Sequence, residues 1–181
     1  MTSVSQTWGT KAQERELTYP CDRFIPRPEA ALYRGVTIEA AAPIVFRWLC
    51  QMRGAPYSYD WIDNFGRRSP GQLTPGMEHL VVGQHLMTIF DLVDFEMGRH
   101  LTIRMRPKSL ASKIFGDAFA SYLIVSTGDE TCRLLVKLVG RYPRGVLGIF
   151  MRAFLPWGDL IMMRRQLLNF KKLGESQNHL R

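Results

Sequence analysis

The apolar positions change period along the chain, and those changes divide it. Residues 1–17 are polar and follow no apolar period, which predicts a mobile arm with Trp8 as its one anchor. Residues 18–29 carry Pro20, Pro26 and Pro28. The residue before a proline avoids the helical region, so an extended, irregular lead-in follows. At 32–39 the period is two, with Val36 and Ile38 on one face and Thr37 and Glu39 on the other. Pro43 suits the first position of a helix, where its missing N–H is not needed. Ile44, Val45, Trp48, Leu49 and Met52 then recur at helical spacing, and Gly54 and Pro56 stop the segment. Ser58 is placed to cap a second short helix through Trp61, Ile62 and Phe65, with Asp60 in its first turn and Gly66 closing it. Residues 67–83, with Pro70, Gly71, Pro75 and Gly76, read as a long loop.

Beyond Gly83 the period returns to two. Val93, Phe95 and Met97 oppose Asp94 and Glu96; after a turn at Gly98 and Arg99, Leu101, Ile103 and Met105 oppose Thr102, Arg104 and Arg106. Residues 118–127 are apolar on both faces and predict a central strand. Leu134, Val136, Leu138 and Tyr142 form an inner face against an outer one of Arg133, Lys137 and Arg141. This is a run of antiparallel hairpins. From Gly145 the pattern is helical again: Leu160, Met163, Leu167 and Phe170 form a stripe that Arg164, Arg165, Lys171 and Lys172 avoid. Pro156 removes one helical hydrogen bond and should kink this helix. The expected fold class is α+β: a curved antiparallel sheet wrapped around a long C-terminal helix, two short helices closing one end, and a groove or cavity between.

That order resembles the helix-grip fold of the START-like superfamily, which includes the polyketide cyclase/dehydrase and lipid-transfer group and the birch-pollen-allergen relatives. The likeness is carried by Ala41-Ala42-Pro43-Ile44-Val45-Phe46-Arg47-Trp48-Leu49, by Pro56-Tyr57-Ser58-Tyr59-Asp60-Trp61-Ile62-Asp63-Asn64, and by Leu80-Val81-Val82-Gly83-Gln84. It covers 32–173. Two departures stand out: six strands where members often have seven, a seventh falling if anywhere in the loop before Gly83, and a lead-in longer than the fold requires. The resemblance implies one domain over 31–174, preceded by an arm and lead-in at 1–30 and followed by a disordered tail at 175–181. It also implies a hydrophobic small-molecule partner (a lipid, polyketide or isoprenoid-like compound) held between sheet and helix. Polyketide cyclase or dehydratase chemistry in the same cavity is the alternative, because such cavities host both and share no catalytic signature.

Composition adds a partner class. The chain has 181 residues, enough for one domain with a core, and a net charge of +8, which favours anionic partners over a neutral surface. Arg104, Arg106, Arg133, Lys137 and Arg141 should fall on the outer sheet face by alternation. Nucleic-acid binding would want aromatics interleaved with them, and none are. A merely solvated face is the default reading; if the surface has a partner, an anionic membrane touched peripherally fits it better. Cys21, Cys50 and Cys132 are odd in number and scattered, against a disulfide framework and suited to the cytoplasm. The N-terminus lacks a basic region followed by an apolar run, so no signal peptide is read. The longest apolar stretch, 146–163, is interrupted by Arg152, Pro156, Gly158 and Asp159, which argues against a membrane span.

Candidate chemistry is densest at 51–68. Gln51, Tyr57, Tyr59, Trp61 and Asn64, with Tyr122 and Trp157, would line a ligand site, since aromatic walls with a few polar groups suit an apolar ligand. The same rings also serve plain cores. Asp60 and Asp63, three apart, would share a helix face and could split their pKa values as acid and base. The stronger reading pairs Asp63 with Arg67 and leaves Asp60 to the helix N-terminus. His85, at a strand start, is the one histidine that could face the pocket, against the stronger reading of a surface or capping residue; Asp60 and His85 are the weak catalytic candidates. None of His79, His85, His100 and His179 has a partner at metal-ligand spacing, and no Gly-rich phosphate loop, nucleophile elbow or dinucleotide fingerprint occurs; no metal and no cofactor are expected. A third reading fills the grip with its own large side chains, among them Phe90, Phe95, Phe119, Phe150 and Phe154, and leaves an interaction module. Access to a cavity would be gated by the long helix and the loop before Gly83.

Overall fold

The computed structural model describes residues 3–63 and 66–178. Six strands form one antiparallel sheet: β1 (Ala30–Ile38), β2 (His85–Leu86), β3 (Phe90–Glu96), β4 (His100–Met105), β5 (Asp117–Gly128) and β6 (Thr131–Arg141). Their order is β1-β6-β5-β4-β3-β2, so the meander from β2 to β6 is closed by the first strand, which pairs with the last from Ala30↔Gly140 to Ile38↔Cys132. Alternation sets the inner face. Val36, Ile38, Leu101, Ile103, Ala120, Tyr122, Ile124, Leu134 and Val136 are buried in one cluster. In β3 the simple alternation fails. The register shifts between Leu92 and Asp94, so Leu92 and Phe95 both pack inward while Val93 packs on the other face. A bulge adds one residue and turns the pleat over, which separates Val93 from Phe95 where the pattern put them together.

The helices are α1 (Val4–Thr7), α2 (Ala12–Arg15), α3 (Ala42–Cys50), α4 (Asp60–Asp63), α5 (Leu110–Phe115) and α6 (Val146–Asn178). The sheet curves around α6, as expected, and α3 and α4 are the two short helices. Ile44, Val45, Trp48 and Leu49 of α3 are buried.

The N-terminal segment is the main correction. It is not a mobile arm but a cover for the outer sheet face. Tyr19, Cys21 and Ile25 pack with Phe119, Leu123, Leu135 and Val139 in a second buried cluster. Trp8 O accepts from Gly35 N at 3.1 Å, and Arg133 closes the contact with Nη2 donating to Gly9 O at 2.7 Å and Nε to Glu14 Oε1 at 2.7 Å. This crossing requires glycine on both sides: Gly9 has φ +73, and a Cβ there would strike Gly35 O. The outer face is therefore not a free basic surface. Arg133 pairs with Glu14, Lys137 with Asp22, Arg104 with Asp117, and Arg106 lies 3.5 Å from Asp91. The alternation was right, but the carboxylates that meet these cations come from distant segments.

Helix α6 runs unbroken through Pro156. Its second half packs in the grip through Leu160, Gln166, Leu167, Phe170 and Gly174. Among residues 146–163 only Gly148, Pro156 and Leu160 are buried. By length and composition α6 is long and apolar enough to cross a membrane. A buried ion pair nevertheless ties its middle to the sheet: Arg34 of β1 reaches Asp159 at 2.7 Å, with side chains 1% and 9% exposed. Arg34 Nη2 also donates to Pro156 O at 3.2 Å and to Ser5 O at 2.8 Å. One guanidinium thus joins α1, β1 and α6.

Candidate functional site

Where α3 ends, Gln51, Met52 and Arg53 form a tight 3-10 turn, and the chain then passes over the second half of α6. Tyr57 lies on this passage with φ +57, a left-handed conformation that a residue with a Cβ adopts only when its surroundings hold it. Asn169 Nδ2 donates to Tyr57 O at 2.7 Å, and the Tyr57 ring rests 5.4 Å from Phe170 and edge-on to Trp48 at 6.2 Å. The interior behind it is polar at one point. Tyr122 Oη donates to Gln166 Oε1 at 2.7 Å, and Gln166 Nε2 donates to Pro56 O at 2.5 Å. Thioethers surround this pair: Met52 and Met87 sulfurs are each 3.8 Å from Gln166 Nε2, and Met163 Sδ is 3.8 Å from Tyr122 Oη. Flexible, polarisable side chains of this kind adapt to the shape of what they contact.

Three buried polar atoms in this region lack a partner: Tyr57 Oη, Trp48 Nε1 and Gln177 Oε1. Two of them belong to one recess of about 200 Å³ between α3, the loop and the end of α6, lined by Trp48, Gly71, Gln72, Leu73, Leu173 and Gln177. A buried donor or acceptor left unpaired costs about 1–3 kcal/mol. A larger open cleft of about 770 Å³ lies at the end of the sheet, between Leu17 and Pro20, Pro43, and the β3–β4 turn at Met97.

Of the residues expected to bind, Tyr57 and Tyr122 meet the interior, joined through Pro56 and Gln166. Gln51 is buried, but its amide is spent on the loop: Thr74 N donates to Oε1 at 2.9 Å. Tyr59 is half-buried under the Arg165 guanidinium at 5.9 Å. Trp61 and Trp157 are 75% and 54% exposed, away from the interior. Asn64 and the side chain of Asp63 lie outside the described residues. The catalytic candidates do not meet. Asp60 accepts from Ser69 N at 2.9 Å and Ser69 Oγ at 2.5 Å, fixing the loop. His85 stands exposed at the sheet edge, 2.6 Å from Asp91; a strand start at an edge points outward as readily as inward. Among the described residues no cluster of three metal-ligating side chains occurs.

Proton transfer is poorly served inside. Burial, then the Asp60 charge, pushes the Tyr57 hydroxyl up to about 12. Burial raises Tyr122 further, aided by the Asp159 charge. Cys21, Cys50 and Cys132 are free and buried, and burial raises them to about 11, 12 and 11. Among the described residues the interior acid is Asp159, which burial raises to about 6 against the pull of Arg34. Gln166, Arg34 and Asp159 are interior polar groups that the apolar pattern did not single out. Arg34 had a signal, since it alternates with Leu32 and Val36 on the inner face of β1 and so needs a buried counter-charge. Gln166, polar and adjacent to a helical stripe, had only a weak one.

No family model and no curated protein matches the chain. Solved structures do. An aromatase/cyclase named Zhui from a Streptomyces species is 18% identical, with 84% of this chain and 96% of that one covered and a TM-score of 0.51. A protein from Thermobifida fusca solved by NMR is 14% identical, covering 79% and 94%, with a TM-score of 0.51. The di-domain aromatase/cyclase StfQ of the steffimycin pathway matches at 10% identity over 81% of this chain and 51% of its own, with a TM-score of 0.50. At such identities the likeness is one of fold. Sheet order, the long C-terminal helix it grips and these neighbours agree: this chain has the helix-grip fold.

Proposed function

We propose that the protein binds a hydrophobic small molecule of lipid, polyketide or isoprenoid kind between the sheet and the second half of α6. The ligand would enter through the recess beside Trp48. The observation that carries this reading is the pair of unpartnered buried polar atoms in that recess, Trp48 Nε1 and Gln177 Oε1, with the Tyr57 ring edge-on to Trp48 and methionine sulfurs around Gln166 and Tyr122. A ligand with one polar end would complete those groups, and its apolar body would displace Met52, Met87 and Met163. The recess at about 200 Å³ holds only part of such a molecule, since ligand pockets commonly reach about 300–1,000 Å³. The remaining room would come from the thioethers and from the loop at 67–83, which Gln51 and Asp60 pin. Three free cysteines make the cytoplasm its fitting compartment.

Binding is favoured over catalysis because Tyr57 and Tyr122 hold their protons far above neutral pH. The cyclase reading keeps one support, the fold shared with two aromatase/cyclases. It would have to use Asp159, which Arg34 already engages.

The test is native mass spectrometry of freshly purified protein, followed by solvent extraction and titration with a fluorescent fatty acid. A co-purifying apolar compound or saturable binding supports the reading, and Tyr57→Phe should weaken that binding several-fold. An empty protein that takes up no fatty acid would sink both ligand readings and leave the filled interaction module.

A further inference from the structure

Among the described residues nothing covers the hydrophobic face of the first half of α6. Val146, Phe150, Phe154, Trp157 and Ile161 are 69%, 56%, 63%, 54% and 55% exposed. At about 100° per residue they fall within about 80° of one another, a stripe about 22 Å long. Helix α5 extends it. Leu110 is 74% exposed and Ile114 and Phe115 are exposed beside it. Gly116 lies against Arg141 O and Pro143, which sets α5 next to the start of α6. Single exposed apolar residues are ordinary, but five on one face of one helix mark an interaction site.

What surrounds the patch selects the partner. Lys108, Lys113, Arg141 and Arg144 are exposed at one end, and Arg164 and Arg165 at the other. Residues 106–116 contain no acid, and between Glu130 and Glu175 the only one is Asp159, whose carboxylate is turned inward onto Arg34. We propose that this face docks the protein on an anionic lipid membrane, with the Phe150–Phe154–Trp157 stripe lying in the interface and the cations at its two ends on the lipid phosphates. Aromatic and aliphatic side chains backed by Lys and Arg are the composition of a helix lying in the interfacial plane. A second copy fits worse. Antiparallel stripes would set Arg144 against Arg164 and Arg165, parallel ones would set like against like, and the exposed carboxylates Glu29 and Asp117 are already paired with Arg152 and Arg104. A spanning orientation is opposed by the half of α6 buried in the grip and by the Arg34–Asp159 pair at its middle. The inference is independent of whether the interior holds a ligand.

The test is co-sedimentation of the full chain with sucrose-loaded vesicles of phosphatidylcholine alone, or with about a third phosphatidylglycerol. Sedimentation velocity without lipid gives the oligomeric state. The parent should pellet with the anionic vesicles and far less with the neutral ones, with binding weakened by salt. Its fluorescence should shift to the blue by a component that Trp157→Phe removes. Phe150→Ser/Phe154→Ser should lower partitioning at least tenfold. Lys113→Glu/Arg144→Glu should lower it at least fivefold on anionic vesicles alone, since each cation near such a surface is worth about fivefold. The charge variant decides the matter if the serine variant does not fold. The proposal is overturned if the parent ignores anionic vesicles, if either folded variant binds like the parent, or if the parent is a dimer that Phe150→Ser/Phe154→Ser converts to monomer without any vesicle binding.

Discussion

Arg34 and Asp159 form the interior ion pair on which three segments converge. Both are nearly inaccessible, and the guanidinium also serves Ser5 O, Tyr33 O and Pro156 O. Removing one member leaves a buried charge without its counter-ion, at about 3–5 kcal/mol. Arg34→Met should therefore lower the urea midpoint strongly, and Arg34→Met/Asp159→Leu should lower it less, because the double change also removes the stranded carboxylate. Tyr57 predicts the opposite sign. Its hydroxyl is buried and unpartnered, so Tyr57→Phe should raise the stability of the ligand-free protein by about 1 kcal/mol in urea unfolding, while weakening any ligand that uses the hydroxyl. At this scale the sequence was only partly legible. Tyr57 and Tyr122 stood out as aromatic rings in a chemically dense stretch. Their connection through Gln166 depends on how two distant segments come together, and no local spacing encodes it.

Among the elements, the strands and α6 were readable because each has one buried face and a clean period. Two elements were not. In β3 the bulge at Val93 breaks the alternation by one residue, and nothing local announces it. The N-terminal segment has no period because its helices are single turns, and it is held by Arg133, Gly35 and the apolar outer face of β5 and β6. That attachment passes through the Gly9–Gly35 crossing. Gly9→Ala adds a methyl group against Gly35 O at a left-handed φ and should cost about 1–3 kcal/mol. Limited proteolysis should then cut within residues 4–23 while the sheet stays resistant; an unchanged digestion pattern would refute the crossing as the clasp.

For the molecule as a whole, the cover over the outer face makes acid stability a property of two clasps. Glu14 loses water on burial, which raises its pKa, but hydrogen bonds from Arg133 and Lys11 N and their charges bring it below the ordinary 4.5. Asp94 is likewise desolvated, yet His100 and Arg23 hold it below 3.8. A lowered folded pKa contributes stability that is present above the unfolded value and lost as pH falls through the folded one. The clasps should thus hold at pH 7 and fail on acidification below 4.5 for Glu14 and 3.8 for Asp94. Glu14→Gln/Asp94→Asn should be less stable than the parent at pH 7 by urea unfolding, and the gap should close towards pH 3. A gap that persists at pH 3 would mean that these carboxylates contribute by packing alone. The single run of helix through Pro156 has a consequence of its own. Trp157, on the outside, and Gln166, at the heart of the grip, stand on one rod about 13 Å apart. A rod does not lean at one end alone. A load that tilts its outer half also moves the groups that fill its inner half. By thermodynamic reciprocity, whatever occupies the grip biases the outer half by the same free energy. The helix is then a lever, with Arg34 at its fulcrum.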